Sequence, residues 1–517
     1  MNIVAKQARI TKFIWLLPVI AAAVIGAVQL SQPHALFGVQ QYDDGAYIGG
    51  ALQLLSGKMP YRNFVFVQPS GVLLILVPVA VSGHLTSLRL AVALSRCLTV
   101  LATVVDIAIA SSIVRHRGVA TTVAVGTVLA IYPATFSADR AFLIEPWLDL
   151  FILLGIKLLF TKDNFSSDKK VLFAGILIGF AGTLKAMAIV MAVVCLVVLI
   201  RHRKKMLNFF IGLLLGFGIP TLPFFLLAPS SYIHDVIVVQ LIRNAATTTP
   251  ILARLAFLLG TRQNGIGPVG ISSMESLARL IAIGVAAILL IFMFLPIVFK
   301  KTHSLDVFIL LSVLATGAAM MLPQIFYAHY GWYFIPFLAI SLGLSLERSL
   351  KVIPYLKKRI RLSWSIDITT TLVAVTIVIL AIRVAIGISA YSDQIISKAG
   401  DPGPDIASVV PSNTCVVSDA AILLITANRY DTSGNCPDLV DATGTWLALD
   451  PTHPERSHGS LNKELVTAWK DWFAQSSYVV LSKPHTFRIP WNNSLEKYFS
   501  NHFYLYKVKG AFIYKRR

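Results

Sequence analysis

The sequence predicts a polytopic α-helical membrane protein with a small extracytoplasmic α/β domain at its C-terminal end. Three observations lead there. The 517 residues are 56% hydrophobic and only 14% charged. The apolar residues lie in blocks, many near the ~20 residues that a helix needs to cross a hydrocarbon core of about 30 Å. The cations, which give a formal net charge of +20, fall in short loops between those blocks. Arg115 and Arg117; Lys162, Lys169 and Lys170; Arg201, Arg203, Lys204 and Lys205; Lys300 and Lys301; and Lys351, Lys357, Lys358, Arg359 and Arg361 follow the positive-inside pattern of cytoplasmic loops. That placement accounts for the charge without nucleic acid.

The first apolar block, 13–30, follows Lys6, Arg9 and Lys12. It exceeds the h-region of a signal peptide and no small-x-small cleavage site follows, so it reads as an anchor helix with a cytoplasmic N-terminus. Segment 31–87 is then the first outer loop. Within it, 72–81 is short and bounded by Pro69, Gly71 and Gly83. A crossing there would put Arg115 and Arg117 outside, so 71–82 is expected to lie at the outer interface and 88–114 to cross. The remaining crossings alternate: 119–136, 146–160, 171–184, 187–200, 207–227, 280–299, 305–322, 331–346 and 366–388. A long outer segment spans 228–275. About eleven crossings result.

Beyond residue 390 no block reaches membrane length. Residues 401–404, Asp-Pro-Gly-Pro, read as a linker. A strand is expected over 415–418, a helix over 419–428 capped by Asp419, and a helix over 461–475. A strand over 478–481 and a hairpin of 503–509 with 511–515 around Gly510 complete the pattern. The expected organisation is a membrane module, 1–391, and an extracytoplasmic α/β domain, 392–517. Cys97 and Cys195 fall in apolar helices and read as small hydrophobes. Cys415 and Cys436 both lie in the outer domain, where oxidising conditions permit a disulfide; whether their geometry allows it is not written in the sequence.

With this orientation, Asp43, Asp44, Arg62, Asp139, Arg140, Glu145, Lys185, Arg243, His329 and Tyr330 all fall in outer loops or at outer helix ends. Carboxylates facing cations at one interface suit a reaction between a polar acceptor and an anionic lipid. Each residue has a plainer reading. Asp43 can cap a helix beginning at Asp44, and Glu145 can cap the helix entered by Pro146. Lys185, in Gly-Thr-Leu-Lys-Ala-Met, can snorkel to headgroups. Arg243 can be a surface charge. Tyr327, Trp332 and Tyr333 can form an interfacial aromatic belt. Arg96 and Asp106 sit inside an apolar helix, where charge is costly; ten residues apart, they are too distant to pair directly. No P-loop, dinucleotide fingerprint after a strand, HExxH or GxSxG occurs. No cofactor is firmly implied, and metal dependence stays open.

The order of these features resembles the GT-C superfamily of membrane glycosyltransferases. Asp43-Asp44-Gly-Ala-Tyr47 is similar to the family's acidic motif after the first helix. Gly57-Lys-Met-Pro-Tyr61-Arg62 and Gln68-Pro69-Ser-Gly71 resemble its following turn and its Pro-Pro segment, with Ser70 where a second Pro is common. Arg96, Glu145, Lys185 at the apex of a short helix pair and His329-Tyr330 follow in the family's order. The resemblance covers 13–388. It looks nearest to actinobacterial arabinofuranosyl- and mannosyltransferases of the cell envelope, and Arg-Tyr-Asp-Thr-Ser-Gly-Asn-Cys-Pro-Asp-Leu-Val-Asp-Ala-Thr-Gly (429–444) is similar to segments of those enzymes.

The resemblance implies an inverting transfer of a sugar from a polyprenyl-phosphate donor to an envelope glycan or glycolipid. Asp43, Asp44 and Glu145 become the catalytic candidates. Lys185, Arg243, His329 and Tyr330 become the donor-phosphate ligands, and Tyr47, Arg62 and Arg140 the acceptor or structural support. The implied location is the plasma membrane. Two readings from other classes compete: a flippase or transporter of lipid-linked sugars, and a non-catalytic envelope assembly protein. Paired repeats and broken helices, which mark many transporters, are not evident in the sequence.

Overall fold

The computed structural model describes residues 13–132, 140–243, 248–259, 302–323, 325–360, 400–434, 436–452 and 462–517, with a few isolated positions between them; for 352–360 it describes the backbone alone. The expected crossing 366–388, Asp139 and the basic residues before position 13 lie outside the described residues, as does 280–299 apart from isolated positions.

The described chain opens with α1 (Leu17–Ser31), α2 (Tyr42–Leu55), α3 (Gly71–Leu85), α4 (Leu88–Ile113), α5 (Val119–Ile131) and α6 (Ile144–Leu159). A two-residue hairpin, β1 (Phe160–Thr161) with β2 (Asn164–Phe165), leads to α7 (Asp168–Gly182), α8 (Ala188–Leu199) and α9 (Arg203–Leu227). Three short helical pieces cover Pro229–Ile233, His234–Val238 and Val239–Ile242. Then come α10 (Ile251–Leu258), α11 (Ser304–Met321) and α12 (Gly331–Ile360). Among the described residues, five helical stretches are long and apolar enough to cross a bilayer: Ile14–Ser31, Leu88–Ile113, Arg203–Leu227, Ser304–Met321 and Ala328–Lys351. Gly71–Leu85, Val119–Ile131 and Ala188–Leu199 are apolar but shorter. α6 and α7 occupy expected crossings yet have 16 and 15 residues, about 23 Å at 1.5 Å per residue.

Close helix packing is carried by small residues that the sequence reading passed over. Gly175 and Gly179 on α7 face Gly212 and Gly216 on α9. A Cβ at any of the four would come within 2.0–2.3 Å of a backbone oxygen on the other helix. Glycine at four-residue spacing lets helix backbones approach in a medium where burial of apolar side chains drives little association.

The C-terminal segment contains α13 (Gly403–Ala407), β3 (Val416–Ser418), α14 (Ala421–Thr426), α15 (Ala442–Leu449), α16 (Lys463–Gln475), β4 (Tyr478–Leu481), α17 (Asn493–His502), β5 (Phe503–Val508) and β6 (Phe512–Arg516). Its sheet has the order β3-β4-β6-β5, with β3 parallel to β4 and the rest antiparallel. Trp446, Trp469, Phe473, Leu495, Phe499 and Phe503 form a core of its own. Ile422, Leu424, Tyr430 and Val480 instead join the core of the helical bundle. Cys415 and Cys436 are joined by a disulfide.

Several local expectations need correction. Asp419 does not cap a helix: α14 starts two residues later, and Asp419 accepts hydrogen bonds from the Ser482 amide and hydroxyl, Thr486 and Arg488. Residues 401–404 are no free linker, because Asp401 pairs with Arg89 at 2.5 Å and α13 begins at Gly403. Trp332 and Tyr333 are not a surface belt; both are fully buried. Asp43 is not an N-cap, since α2 begins at Tyr42 after Gln41.

Candidate active site

The acidic motif lies in the first turn of α2, and helical geometry separates its two carboxylates. Neighbouring residues on a helix point about 100° apart, whereas residues four apart share a face. Asp43, Ala46 and Tyr47 accordingly line one cavity of about 410 Å³. Asp44 points the other way and is completely buried. It receives Arg96 of α4 through Nη2 at 2.6 Å and Nε at 3.2 Å, and the Phe142 amide at 2.5 Å. Arg96 also donates to the Ala35 and Gly38 carbonyls, each at 2.8 Å. Asp44 therefore ties the loop before α2, α4 and the loop before α6 together. Expected among the catalytic candidates, Asp44 instead has its carboxylate turned away from the cavity and taken up by Arg96 and the Phe142 amide.

Two glycines permit close backbone contacts near the cavity. Gly45 meets α14, where a Cβ would come within 2.2 Å of the Ile422 amide nitrogen. Gly71 meets the turn between α7 and α8: its amide donates to the Thr183 carbonyl at 2.8 Å, and a Cβ would lie 2.0 Å from Thr183 Oγ1. The first contact brings the C-terminal segment against α2. The second fixes the turn that carries Lys185.

Glu145, Lys185, Arg243, His329 and Tyr330 line the same cavity as Asp43. Lys185 donates to Glu145 at 2.5 Å, and its ammonium stands 4.1 Å from the centre of the Tyr330 ring. His329 Nε2 is 3.8 Å from Glu145, and its ring stacks on Tyr327. Lys185 thus faces the cavity with its charge held by a carboxylate and an aromatic face, rather than snorkelling. Glu145, placed in the first turn of α6, acts as its counter-ion. Burial opposes the Lys185 charge, but Glu145 and Tyr330 outweigh it and raise its pKa, so it stays protonated. Arg243, at the end of the Val239–Ile242 piece, has no ion-pair partner among the described residues.

Asp43 is the contrasting group. Among the described residues its carboxylate accepts no hydrogen bond and forms no ion pair, and its pKa is pushed up to about 7. Enclosure by the surrounding protein is the main cause, the charge of Asp441 the next; Lys185 pulls the other way. A carboxylate poised near neutrality, with a free lone pair facing a cavity, is suited to take a proton from a hydroxyl.

Asp441 was missed by the sequence reading, although it lies in the 429–444 segment. Asp441 is the N-cap of α15: Oδ1 accepts the Gly444 amide at 2.7 Å and the Tyr42 hydroxyl at 2.8 Å. The Thr443 amide donates to the Tyr42 oxygen at 3.0 Å. Arg488, held by Asp419 at 2.9 Å, lies 4.2 Å from the centre of the Tyr42 ring. Tyr42, Gln68, Asp441, Thr443 and Phe487 all line the cavity. The legible signal was an Asp three residues before a Gly at the start of a helix. Nothing in the sequence indicated that this helix would face α2.

Two expected residues lie elsewhere. Arg62 is exposed and lines a neighbouring cavity. Arg140 is not in the cavity wall, though its charge reaches His329. Asp106 of α4 sits in the bundle beside Asp149 of α6, and both are completely buried. Among the described residues, no three or more His, Cys, Asp or Glu side chains gather as a metal site.

No family model matches the chain, and no curated relative matches it in sequence. Solved structures do match. ArnT from Cupriavidus metallidurans in the apo state is similar at 16% identity and a TM-score of 0.59, over 96% of this chain and 97% of that one. Its form bound to undecaprenyl phosphate gives 15% and 0.57. The archaeal oligosaccharyltransferase AglB from Archaeoglobus fulgidus, in complex with an inhibitory peptide and a dolichol-phosphate, gives 13% and 0.51 over 91% of this chain and 69% of that one. At these identities the likeness is one of architecture: the chain shares the fold of ArnT and of the oligosaccharyltransferase AglB.

Proposed function

We propose that the chain is an inverting glycosyltransferase that moves a sugar from a polyprenyl-phosphate donor to a cell-envelope glycan or glycolipid at the outer face of the plasma membrane. One observation carries the reading: an unpaired carboxylate, Asp43, shares a cavity with Lys185, Arg243 and His329. Two proteins of the same fold were solved with polyprenyl or dolichol phosphate bound, which supports the choice of donor. In the proposed step Asp43 accepts the proton of the acceptor hydroxyl. The hydroxyl oxygen attacks the anomeric carbon from the face opposite the phosphate. The bond from that carbon to the phosphate oxygen breaks, and its electron pair stays on the phosphate. The leaving group gains charge, so fixed cations opposite it lower the barrier. Arg243 and Lys185 supply that charge, with His329 and Tyr330 shaping the phosphate end.

Asp44, with Arg96, holds α2 in place and does not enter the reaction. Tyr47 lies one turn after Asp43 on the same helix face and flanks the acceptor. The sequence resemblance supports an arabinofuranosyl or mannosyl group as the transferred sugar. The N-terminus is assigned to the cytoplasm and the C-terminal segment to the outside, an orientation that the loop charges support. The test is incubation of the purified chain with a labelled polyprenyl-phosphate sugar and envelope glycan. Label should pass to the glycan. Movement of labelled lipid across a liposome without transfer would replace the enzyme by a flippase.

A further inference from the structure

Arg62, singled out in the sequence but absent from the cavity of Asp43, leads to a second cavity of about 510 Å³. The two cavities share a wall. Val65 and Val67, Val239, and Leu447 with Ala448 of α15 pack together as a separate small apolar cluster. α15 turns Thr443, Gly444 and Leu447 toward the first cavity and Thr445, Ala448 and Leu449 toward the second. Residues 61–68 divide in the same way, with Tyr61 to Val65 on one side and Val67 and Gln68 on the other. A ligand that reaches over this wall therefore meets both cavities.

The second cavity has a distinct chemistry. Half-buried Trp472 offers an aromatic surface, and Arg62, Asn63, His234, Asp235 and Asp438 offer polar groups around it. Most of the charges are already balanced: His234 Nδ1 is 3.0 Å from Asp235, and Lys58 is bonded to Asp438. Arg62 has no ion-pair partner among the described residues. An apolar ring face beside near-neutral sets of donors and acceptors suits a ligand with apolar C–H faces and many hydroxyls. Lipid chains would want an apolar lining, and a polyanion would want a surplus of cations.

We propose that this second cavity binds the inner sugars of the acceptor, a neutral oligosaccharide whose terminal residue reacts over the wall beside Asp43. The proposal rests on the reading of the first cavity as the transfer site. The ring face of one sugar lies against Trp472, and Arg62 and Asn63 hold hydroxyls of the next. The acceptor is thereby measured by length: a chain of several units engages both cavities, and a single sugar engages only the first.

The experiment uses the full chain in detergent. The probes are oligosaccharides released from the envelope of the source cells, fluorescently tagged at the reducing end and sorted from one to six units. Binding is read by anisotropy, without donor. The wild type should bind tetrasaccharide at least about tenfold more tightly than monosaccharide. Arg62→Ala, an exposed change, and Trp472→Ala should each erase most of that gain. Trp472→Phe, which keeps an aromatic face, should retain it and guards against a folding defect. Equal affinity at all lengths, a gain unaffected by Arg62→Ala and Trp472→Ala, or displacement of the tetrasaccharide by an unrelated peptide would overturn the proposal. Asp43→Asn separates the two claims. It should keep length-dependent binding while losing transfer; if it still transfers, the base assignment fails while the subsite is judged by binding alone.

Discussion

At the end of the bundle away from the cavity, Arg117 pairs with three carboxylates: Asp163 at 2.8 Å, Asp306 at 3.1 Å and Glu347 at 3.3 Å. Asp306 also receives Arg348 at 2.7 Å, and His116 lies 2.7 Å from Asp163. At the cavity end Asp43 has no such partner, and Asp441 raises its pKa further. The two groups of charges sit at opposite ends of the same helices. Glu145 opens α6, whose far end leads to Asp163; Tyr330 precedes α12, and Glu347 lies about 24 Å further along it at 1.5 Å per residue. Burial works against Asp163 too, yet its His116 and Arg117 partners bring its pKa below the ordinary carboxylate range, whereas Asp43 rises to about 7. Partly buried acids are paired where they only hold helices together. Where one is left unpaired and facing a cavity, the cost in stability is the sign of a group kept for chemistry.

The largest effect expected from breaking this contrast is at Asp43. Asp43→Asn keeps the size but removes the base, so turnover should fall by about 10²–10⁴-fold. Donor affinity, measured on the same purified protein, should change little, because the phosphate contacts come from cations. At the other end, Arg117→Ala removes a cation shared by three carboxylates, each of which keeps another partner in His116, Arg348 or Lys351; it should cost about 1–3 kcal/mol of stability, read from denaturant unfolding, with turnover of the folded fraction near wild type. Replacing both Cys415 and Cys436 by serine should cost about 3 kcal/mol, in line with a loop spanning 21 positions. That loss should fall on the C-terminal segment, and limited proteolysis would locate it there.

Acidity sharpens the comparison further. Between about pH 4 and 7 folded Asp43 holds a proton that the unfolded chain has released, so this group makes stability fall as pH rises through that window. Asp163 acts in the opposite sense: its folded pKa lies below the unfolded one, so its contribution is present above the ordinary carboxylate range and lost as pH falls through the folded pKa. Melting temperature against pH should show both slopes, and Asp43→Asn should remove only the first. The smallest effect expected is kinetic. Activity should rise with an apparent pKa near 7, and Asp441→Asn, by removing a like charge, should move that limb to lower pH. A limb left in place would separate Asp441 from the base.

Much of the site could be read along the chain because each residue carries a local signal. Asp43, Glu145, Lys185, Arg243 and His329 are charged or titratable groups beside long apolar blocks, and such groups are scarce enough there to stand out. The reading that Asp43 and Tyr47 share a helix face needs only the 3.6-residue period. Asp44 shows where that reasoning stops. Its neighbour is Arg96, fifty-two positions away on another helix, and no period links them. Asp441 is harder still, because its partner in the cavity is Tyr42, 399 positions away on α2.

By itself the sequence determined what its local rules can state: apolar blocks of near-membrane length, basic loops between them, and a C-terminal segment of mixed helices and strands with its hairpin at Gly510. Those follow from the cost of placing charges and unpaired backbone groups in hydrocarbon and from side-chain periods within one element. Tertiary structure alone decided which acid is free. Asp43 and Asp44 are chemically identical neighbours, and their fates diverge because Arg96, the Phe142 amide and Lys185 arrive from three other parts of the chain. Electrostatic environment depends on distance in space, and distance in space is fixed only when the helices and the C-terminal segment have packed.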